Sequence, residues 1–297
     1  MCGIVGLHLR SQRFENQMGD LRGQMLVRVG ERGPDSAGVG LYGDETLTTP
    51  GWATVSVLSQ LGTTRIEAAL SLPPDCPVTV TAVADVRVVS AAVPLTNLVD
   101  AVRSAVPGGI VIGTGEELAV LKGVGTPSEL ATRFALAGRH GRQGVGHARM
   151  ATESAVTLEH GHPFCVSPDL CLVHNGSFAN HDTIRRELAA EGVVCDTDND
   201  SEVAARFLGW RLALGDDLEK SLRLLCDRFE GFYTLLVTTA NEFAVVRDAI
   251  ACKPAVIAES PDWVAMASEY RALAVLPGIE RARVFEPGPE EVHLWAD

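Results

Sequence analysis

Met1-Cys2-Gly3-Ile4-Val5-Gly6-Leu7-His8-Leu9 opens the chain, and the reading of its second residue decides the rest. Methionine aminopeptidases remove Met when the next side chain is small, so Cys2 is expected to become the mature N-terminus. It then carries a thiol and a free α-amine on one residue. A thiol is a strong nucleophile even when only a few per cent ionised, and an α-amine titrates near pH ~7.7–8.0, within reach of a general base. Gly3 and Gly6 let other backbone approach and leave the thiol open. On this stretch alone two readings stand side by side: a catalytic N-terminal nucleophile, or a short buried strand that happens to carry Cys.

Bulk properties narrow the field. A chain of 297 residues, 46% hydrophobic, buries a substantial core. Its net charge of −13 argues against non-specific nucleic-acid binding, which needs a basic surface. The start has no basic region and no long apolar run, and nothing reaches the ~18 to 20 apolar residues of a membrane span. A soluble cytoplasmic protein is the expectation, bound to neither membrane nor nucleic acid. Seven cysteines at irregular spacing, with no Cys-x-x-Cys pair, predict reduced thiols. His160, His162 and Cys165 lack a fourth ligand and zinc spacing, so no metal is expected and a His-Pro turn is the simpler reading.

Outward from the first strand, Phe14, Met18, Leu21, Met25 and Val29 mark one face of an amphipathic helix. The turn Glu31-Arg32-Gly33-Pro34-Asp35-Ser36-Ala37-Gly38 follows, with a lone Arg at its mouth, and then a strand from Val39 to Tyr42. From Asp44 to about Gly141 the character changes. Alternating stretches at 78–83 and 110–112 predict strands, Leu95, Leu98, Val99 and Val102 predict a helix, and Thr126-Pro127-Ser128-Glu129 predicts a capped helix start. This segment reads as an α/β insert. Gly113-x-Gly115 lacks the third glycine of a nucleotide loop.

Polar residues suited to catalysis return at Gly146-His147-Ala148-Arg149-Met150-Ala151-Thr152. An Arg at a strand end can hold a carboxylate through two parallel hydrogen bonds. The apolar strand Leu170-Cys171-Leu172-Val173 runs into His174-Asn175-Gly176, where an Asn amide beside a Gly N–H offers two donors to an oxyanion. Helices are predicted near 181–191, 201–214 and 217–229. Between the first two, Asp196-Thr197-Asp198-Asn199-Asp200-Ser201-Glu202 starts like a calcium loop, but Ser201 and Phe207 stand where Gly and Glu are needed. A capped helix start or an ammonium-binding carboxylate remain. Strands are predicted at 232–238, 243–247, 255–258 and 263–267.

Taken in order, Cys2-Gly3-Ile4-Val5-Gly6, Arg32-Gly33-x-Asp35-Ser36-Ala37-Gly38, Gly146-His147-x-Arg149-x-Ala151-Thr152, His174-Asn175-Gly176 and Asp200-Ser201-Glu202 resemble a class II glutamine amidotransferase domain, an N-terminal-nucleophile hydrolase. Arg247-Asp248 and Ala267-Ser268-Glu269 extend the likeness, which covers residues 2–43 and about 142–275. It implies an α+β fold: a four-layer αββα sandwich over residues 2–297, with the inserted α/β subdomain at approximately 44–141. It also implies roles. Cys2 would attack the glutamine amide, assisted by its α-amine, and Asn175 with the Gly176 N–H would hold the oxyanion. Arg149 would clamp the α-carboxylate, Asp200 would pair with the α-ammonium, and Thr152 would line the pocket. Arg32, supported by Gly33, would order the N-terminal residue. Glu153 after Thr152, and Ala148 and Met150 around Arg149, depart from the family pattern.

No synthase domain lies within the 297 residues, so the resemblance points to a separate consumer of ammonia. It is closest to the stand-alone amidotransferase subunit of split glutamate synthases, including N-methylglutamate synthase of methylamine metabolism. Partner subunits of a hetero-oligomer would then carry FMN and iron–sulfur clusters, and this chain no cofactor. Two other expectations remain open: an N-terminal Cys hydrolase of another amide, and a non-catalytic partner that keeps the fold.

Overall fold

In the computed structural model of the chain, residues 2–150 and 157–296 are described. In chain order the strands are β1 (Gly3–Leu9), β2 (Ser36–Tyr42), β3 (Ala53–Leu58), β4 (Val78–Val83), β5 (Val86–Ala91), β6 (Ile110–Gly115), β7 (Leu118–Val124) and β8 (Gln143–Arg149). After these come β9 (Phe164–Ser167), β10 (Leu170–Phe178), β11 (Gly231–Thr238), β12 (Glu242–Arg247), β13 (Val256–Glu259), β14 (Trp263–Ala267), β15 (Arg283–Phe285) and β16 (Val292–Ala296). The helices are α1 (Met18–Arg28), α2 (Thr63–Ala69), α3 (Leu95–Ala105), α4 (Pro127–Arg133), α5 (His181–Ala190), α6 (Asp200–Ala213), α7 (Leu218–Arg228) and α8 (Tyr270–Leu273).

A seven-stranded sheet, β15-β13-β14-β1-β8-β2-β7, faces a five-stranded sheet, β16-β12-β11-β10-β9. Every strand of β1, β2 and β8 is buried end to end, because these strands have a layer on both faces. Their side chains therefore divide by parity. Val5 and Leu26 meet near Gly146 on the α1 side, whereas Gly6 lies under Leu236 and Phe243 of the second sheet. The far side of the second sheet buries Leu172, Leu235 and Val237 against Val203, Phe207, Leu222 and Leu225 of α6 and α7. Helix α1 covers the first sheet and α5–α7 cover the second, which makes the stack the four-layer αββα sandwich expected from the sequence.

The predicted stripe Phe14, Met18, Leu21, Met25 and Val29 is buried throughout, but its first residue lies in a separate 3-10 turn (Gln12–Gln17) capped by Ser11. The stretch 44–141 divides in two. Strands β4-β5-β3-β6 form their own four-stranded sheet, with Val55, Val89, Leu98 and Val102 in a core of their own. The chain then returns to the main body at Leu118: β7 pairs with β2 from Ser36↔Val124 to Tyr42↔Leu118, covering an edge that would otherwise be open. The capping box of Thr126 and Glu129 starts α4 as predicted. Strand β16, which extends the second sheet beside β12, has no counterpart in the sequence reading.

Candidate active site

Pairing of Gly3 with Ala148 sets Cys2 beside the end of β8, where Arg149 sits. Cys2 is partly exposed, and its Sγ lies 3.9 Å from the Met150 carbonyl oxygen. Ser268 fixes the start of β1 from the other neighbour: its Oγ accepts from Ile4 N–H at 2.9 Å, and its own N–H donates to the Ile4 carbonyl at 2.9 Å. Arg32 completes the clamp. Its Nε donates to the Cys2 carbonyl at 3.1 Å while its terminal nitrogen pairs with Glu269 at 2.8 Å. Glu269 also pairs with Arg271, which reaches Glu31. Burial raises the Glu269 carboxyl, but the hydrogen bonds from Arg32 and Arg271 more than offset it and hold it below its ordinary range.

Gly33 has a steric task. A Cβ there would stand 2.3 Å from the Ala148 carbonyl carbon and 2.5 Å from the Arg149 nitrogen, so only glycine lets the turn after α1 lie against β8. Asp35 N–H then donates to the Arg149 carbonyl at 3.1 Å, tying the turn to the Arg-bearing strand end. Arg149 itself is only 5% exposed.

The second sheet supplies the facing wall. Cys171 and Val173 belong to the inter-sheet core, so Asn175, two residues on, presents its side chain to the same space. Its Nδ2 is buried and meets no acceptor among the described residues. Gly176 has φ +150°, and a Cβ would stand 2.0 Å from the Phe232 carbonyl oxygen, so the position admits only glycine. His174 points the other way, its Nδ1 2.7 Å from Ser201 Oγ. The His174 carbonyl accepts a 2.9 Å hydrogen bond from His147 Nε2, which ties β8 to β10 across the inter-sheet space. Burial pushes the His147 imidazole down to about 3, and His162, stacked 4.0 Å away, is lowered by the same cause. Both rings are neutral at pH 7, which makes His147 a structural donor rather than a base.

Asp200 begins α6. Its carboxylate accepts Phe178 N–H at 3.0 Å and Ser201 Oγ–H at 3.2 Å, fixing it at the end of β10. The acidic run before it is not a cation loop. Asn199 caps α6, and the Glu202 carboxylate accepts the N–H groups of Asp196 at 2.8 Å and Thr197 at 2.7 Å. Contacts thus run from Cys2 to the end of β8, from His147 to β10, and from Phe178 to Asp200. Cys2 and Arg149 share the paired ends of β1 and β8, Asn175, Gly176 and Asp200 share the end of β10, the His147–His174 hydrogen bond joins β8 to β10, and Arg32 and Gly33 brace the first group. Thr152 lies outside the described residues.

His160 bonds Thr157 and Asp198, and His162 packs on His147; among the described residues no cluster of metal-ligating side chains forms. The seven cysteines are free thiols. Among the described residues no helix is long and apolar enough to cross a membrane. Sequence reasoning missed the clamp roles of Glu269 and Ser268 and the tie from His147 to His174. Ser268, Glu269 and His147 stood in motifs of the family likeness, but nothing in those motifs gave their partners.

The αββα stack with a cysteine at the head of its central strand is the fold of an N-terminal-nucleophile hydrolase. A solved Bacillus subtilis glutamine phosphoribosylpyrophosphate amidotransferase superposes with a TM-score of 0.63 at 19% identity, over 100% of this chain and 47% of that one, a likeness of fold. The glutamine amidotransferase domain model matches residues 147–275. The chain is 44% identical to the glutamine amidotransferase-like protein GlxB of Rhizobium meliloti, over 99% of this chain and 98% of that one. It therefore belongs to the glutamine amidotransferase family. Amidophosphoribosyltransferase of Bacillus subtilis shares 31% identity over 61% of this chain, which spans 38% of that enzyme.

Proposed function

We propose that the protein hydrolyses glutamine through Cys2 and passes the ammonia to a partner. The observation that carries this reading is the buried Asn175 Nδ2, a donor without an acceptor among the described residues, on the strand that His147 ties to β8. Leaving such a donor unpaired costs roughly 1–3 kcal/mol, a cost that an oxyanion offsets at the moment of reaction. Removal of Met1 frees the Cys2 α-amine, which takes the thiol proton directly or through a water. The sulfur attacks the side-chain amide carbon, and the oxyanion is held by Asn175 Nδ2–H and Gly176 N–H, each donor worth about 3–4 kcal/mol of barrier. The carbon–nitrogen bond then breaks, the protonated amine gives its proton to the leaving ammonia, and water releases glutamate from the thioester, restoring the thiol. Arg149 takes the substrate α-carboxylate, Asp200 the α-ammonium, and Thr152 lines the pocket. A substrate held by both charges is an amino acid rather than a simple amide.

The partner we propose is a glutamate-synthase-like assembly, with N-methylglutamate synthase of methylamine metabolism as its nearest setting. FMN and iron–sulfur clusters belong to that partner. The Glu31-Arg32-Gly33-Pro34-Asp35-Ser36 motif supports this reading, as does the small sheet, whose separate core leaves it free to serve as a docking element. Cys2→Ser is expected to cut glutamine hydrolysis by roughly 10³-fold or more while the circular dichroism spectrum stays unchanged. Intact mass should show Met1 gone, and flavin- and iron–sulfur-containing subunits should co-purify from the native host. Undiminished hydrolysis by the Ser variant would sink the mechanism, and recovery of the chain alone would sink the partner.

A further inference from the structure

Where the small sheet meets the body, a cavity of about 650 Å³ opens between α3 and β6 on one side and β9 and the start of α6 on the other. Leu95, Val99, Ile112, Phe164 and Val166 give it apolar walls. Cys2, Arg149, Asn175, Gly176 and Asp200 are not among its lining residues, so it is a separate chamber from the candidate active site.

Its wall carries one unusual group. Lys122 stands on β7 opposite Gly38, on the inter-sheet side, and is only 4% exposed. Its Nζ lies 5.1 Å from the Phe164 ring centroid. Among the described residues it makes no hydrogen bond and has no carboxylate at ion-pair distance. Burial lowers its ammonium to about 8, which still leaves it mostly charged at pH 7. A buried ammonium without an anion costs several kcal/mol.

Of the carboxylates that line the chamber, Glu202 and Asp196 are engaged elsewhere. Glu202 accepts from Asp196, Thr197 and Arg206, and Asp196 pairs with Arg206. Arg103, in the last turn of α3, and Arg206, paired with Asp196 and Glu202, are the other cations of the wall. The four carboxylates around the chamber, Asp100, Glu159, Asp196 and Glu202, disfavour a phosphate or other dianion. One buried cation among apolar side chains suits a monoanion with an apolar body.

We propose that this cavity binds a small monocarboxylate, its carboxylate on Lys122 and its apolar body between α3 and β9. Nothing in the proposal depends on the glutamine reaction. The test is calorimetric titration of the whole protein with hexanoate, octanoate and phenylacetate, with hexanamide as the uncharged control. At least one of the acids should bind saturably at one site per chain, and hexanamide more than about tenfold more weakly than hexanoate. Lys122→Met, which keeps an unbranched side chain one atom shorter and removes the charge, should weaken the acid by roughly 10- to 100-fold, the worth of one charge-assisted hydrogen bond. The Met variant is expected to keep or raise the melting temperature, because it removes an uncompensated buried charge. Failure of all three acids to saturate, or equal affinity in Lys122→Met, would overturn the proposal. Should the Met variant not fold, equal binding of hexanoate and hexanamide to the native chain would overturn it as well.

Discussion

Replacing Arg32 with Ala tests whether the N-terminal residue is held by its backbone. The side chain is 12% exposed, so water cannot readily take over its 3.1 Å hydrogen bond to the Cys2 carbonyl. A charged hydrogen bond of that kind is worth about 1.5–3 kcal/mol. The Glu269 partner adds less, since that carboxylate is 27% exposed and keeps Arg271. A loss of about 2 kcal/mol, spread over the unfolding entropy of a chain this long, corresponds to a fall of about 3 °C in melting temperature. The kinetic effect should be larger. With Arg149 and Asp200 untouched, KM for glutamine should change little, while a nucleophile displaced by about 1 Å can cost up to 10²-fold in kcat. Arg32→Lys should fall between, because one ammonium cannot serve both acceptors in the geometry of the guanidinium. Steady-state glutamine hydrolysis and thermal unfolding on the same preparations decide the matter. A normal kcat in Arg32→Ala, even beside a lowered melting temperature, would show that the clamp supports the fold and not the thiol.

Three further perturbations follow from the same geometry. Gly176→Ala forces a Cβ to within 2.0 Å of the Phe232 carbonyl at φ +150°, and should cost roughly 2–4 kcal/mol in urea denaturation; an unchanged midpoint would refute the register of β10 on β11. Arg149→Lys keeps the charge but loses the two-pronged grip, so KM for glutamine should rise by about 10-fold or more with a smaller change in kcat; the reverse split would argue against a carboxylate clamp. Stability should also depend on acid. His147 is lowered in the fold from 6.5 to about 3, so the unfolded chain takes up protons first as pH falls, and stability present near neutrality is lost through that window. From about pH 7 to about pH 5 this one ring contributes roughly 2 kcal/mol of loss, and His162 and His174 act in the same direction. A flat denaturation free energy over that range would show that the rings are not buried neutral.

Local pattern carried much of the fold. The stripe from Phe14 to Val29, the Thr126 capping box and the helix from His181 were legible because each is written within a few consecutive turns. The stretch 44–141 was harder, since nothing in Leu118–Val124 itself says that it leaves the small sheet for the edge of β2. That choice depends on which strand edge is open, a property of two segments far apart. The site shows the same split. Cys2, Arg149, Asn175, Gly176 and Asp200 stood out as residue types at strand and helix ends, whereas Glu269 meets Arg32 across 237 residues and leaves no spacing to read.

By itself, the sequence determined the chemistry on offer: a thiol at residue 2, an Arg and an Asn-Gly at strand ends, an Asp at a helix start, and the alternation that builds two apolar sheets. Only the tertiary structure decided which strand ends lie side by side and that, among the described residues, the Asn175 amide nitrogen has no acceptor and the buried Lys122 no carboxylate at ion-pair distance. The physical reason is that propensity and periodicity act over a few residues, while burial, desolvation and the pairing of charges are set by contacts between segments that share no local pattern.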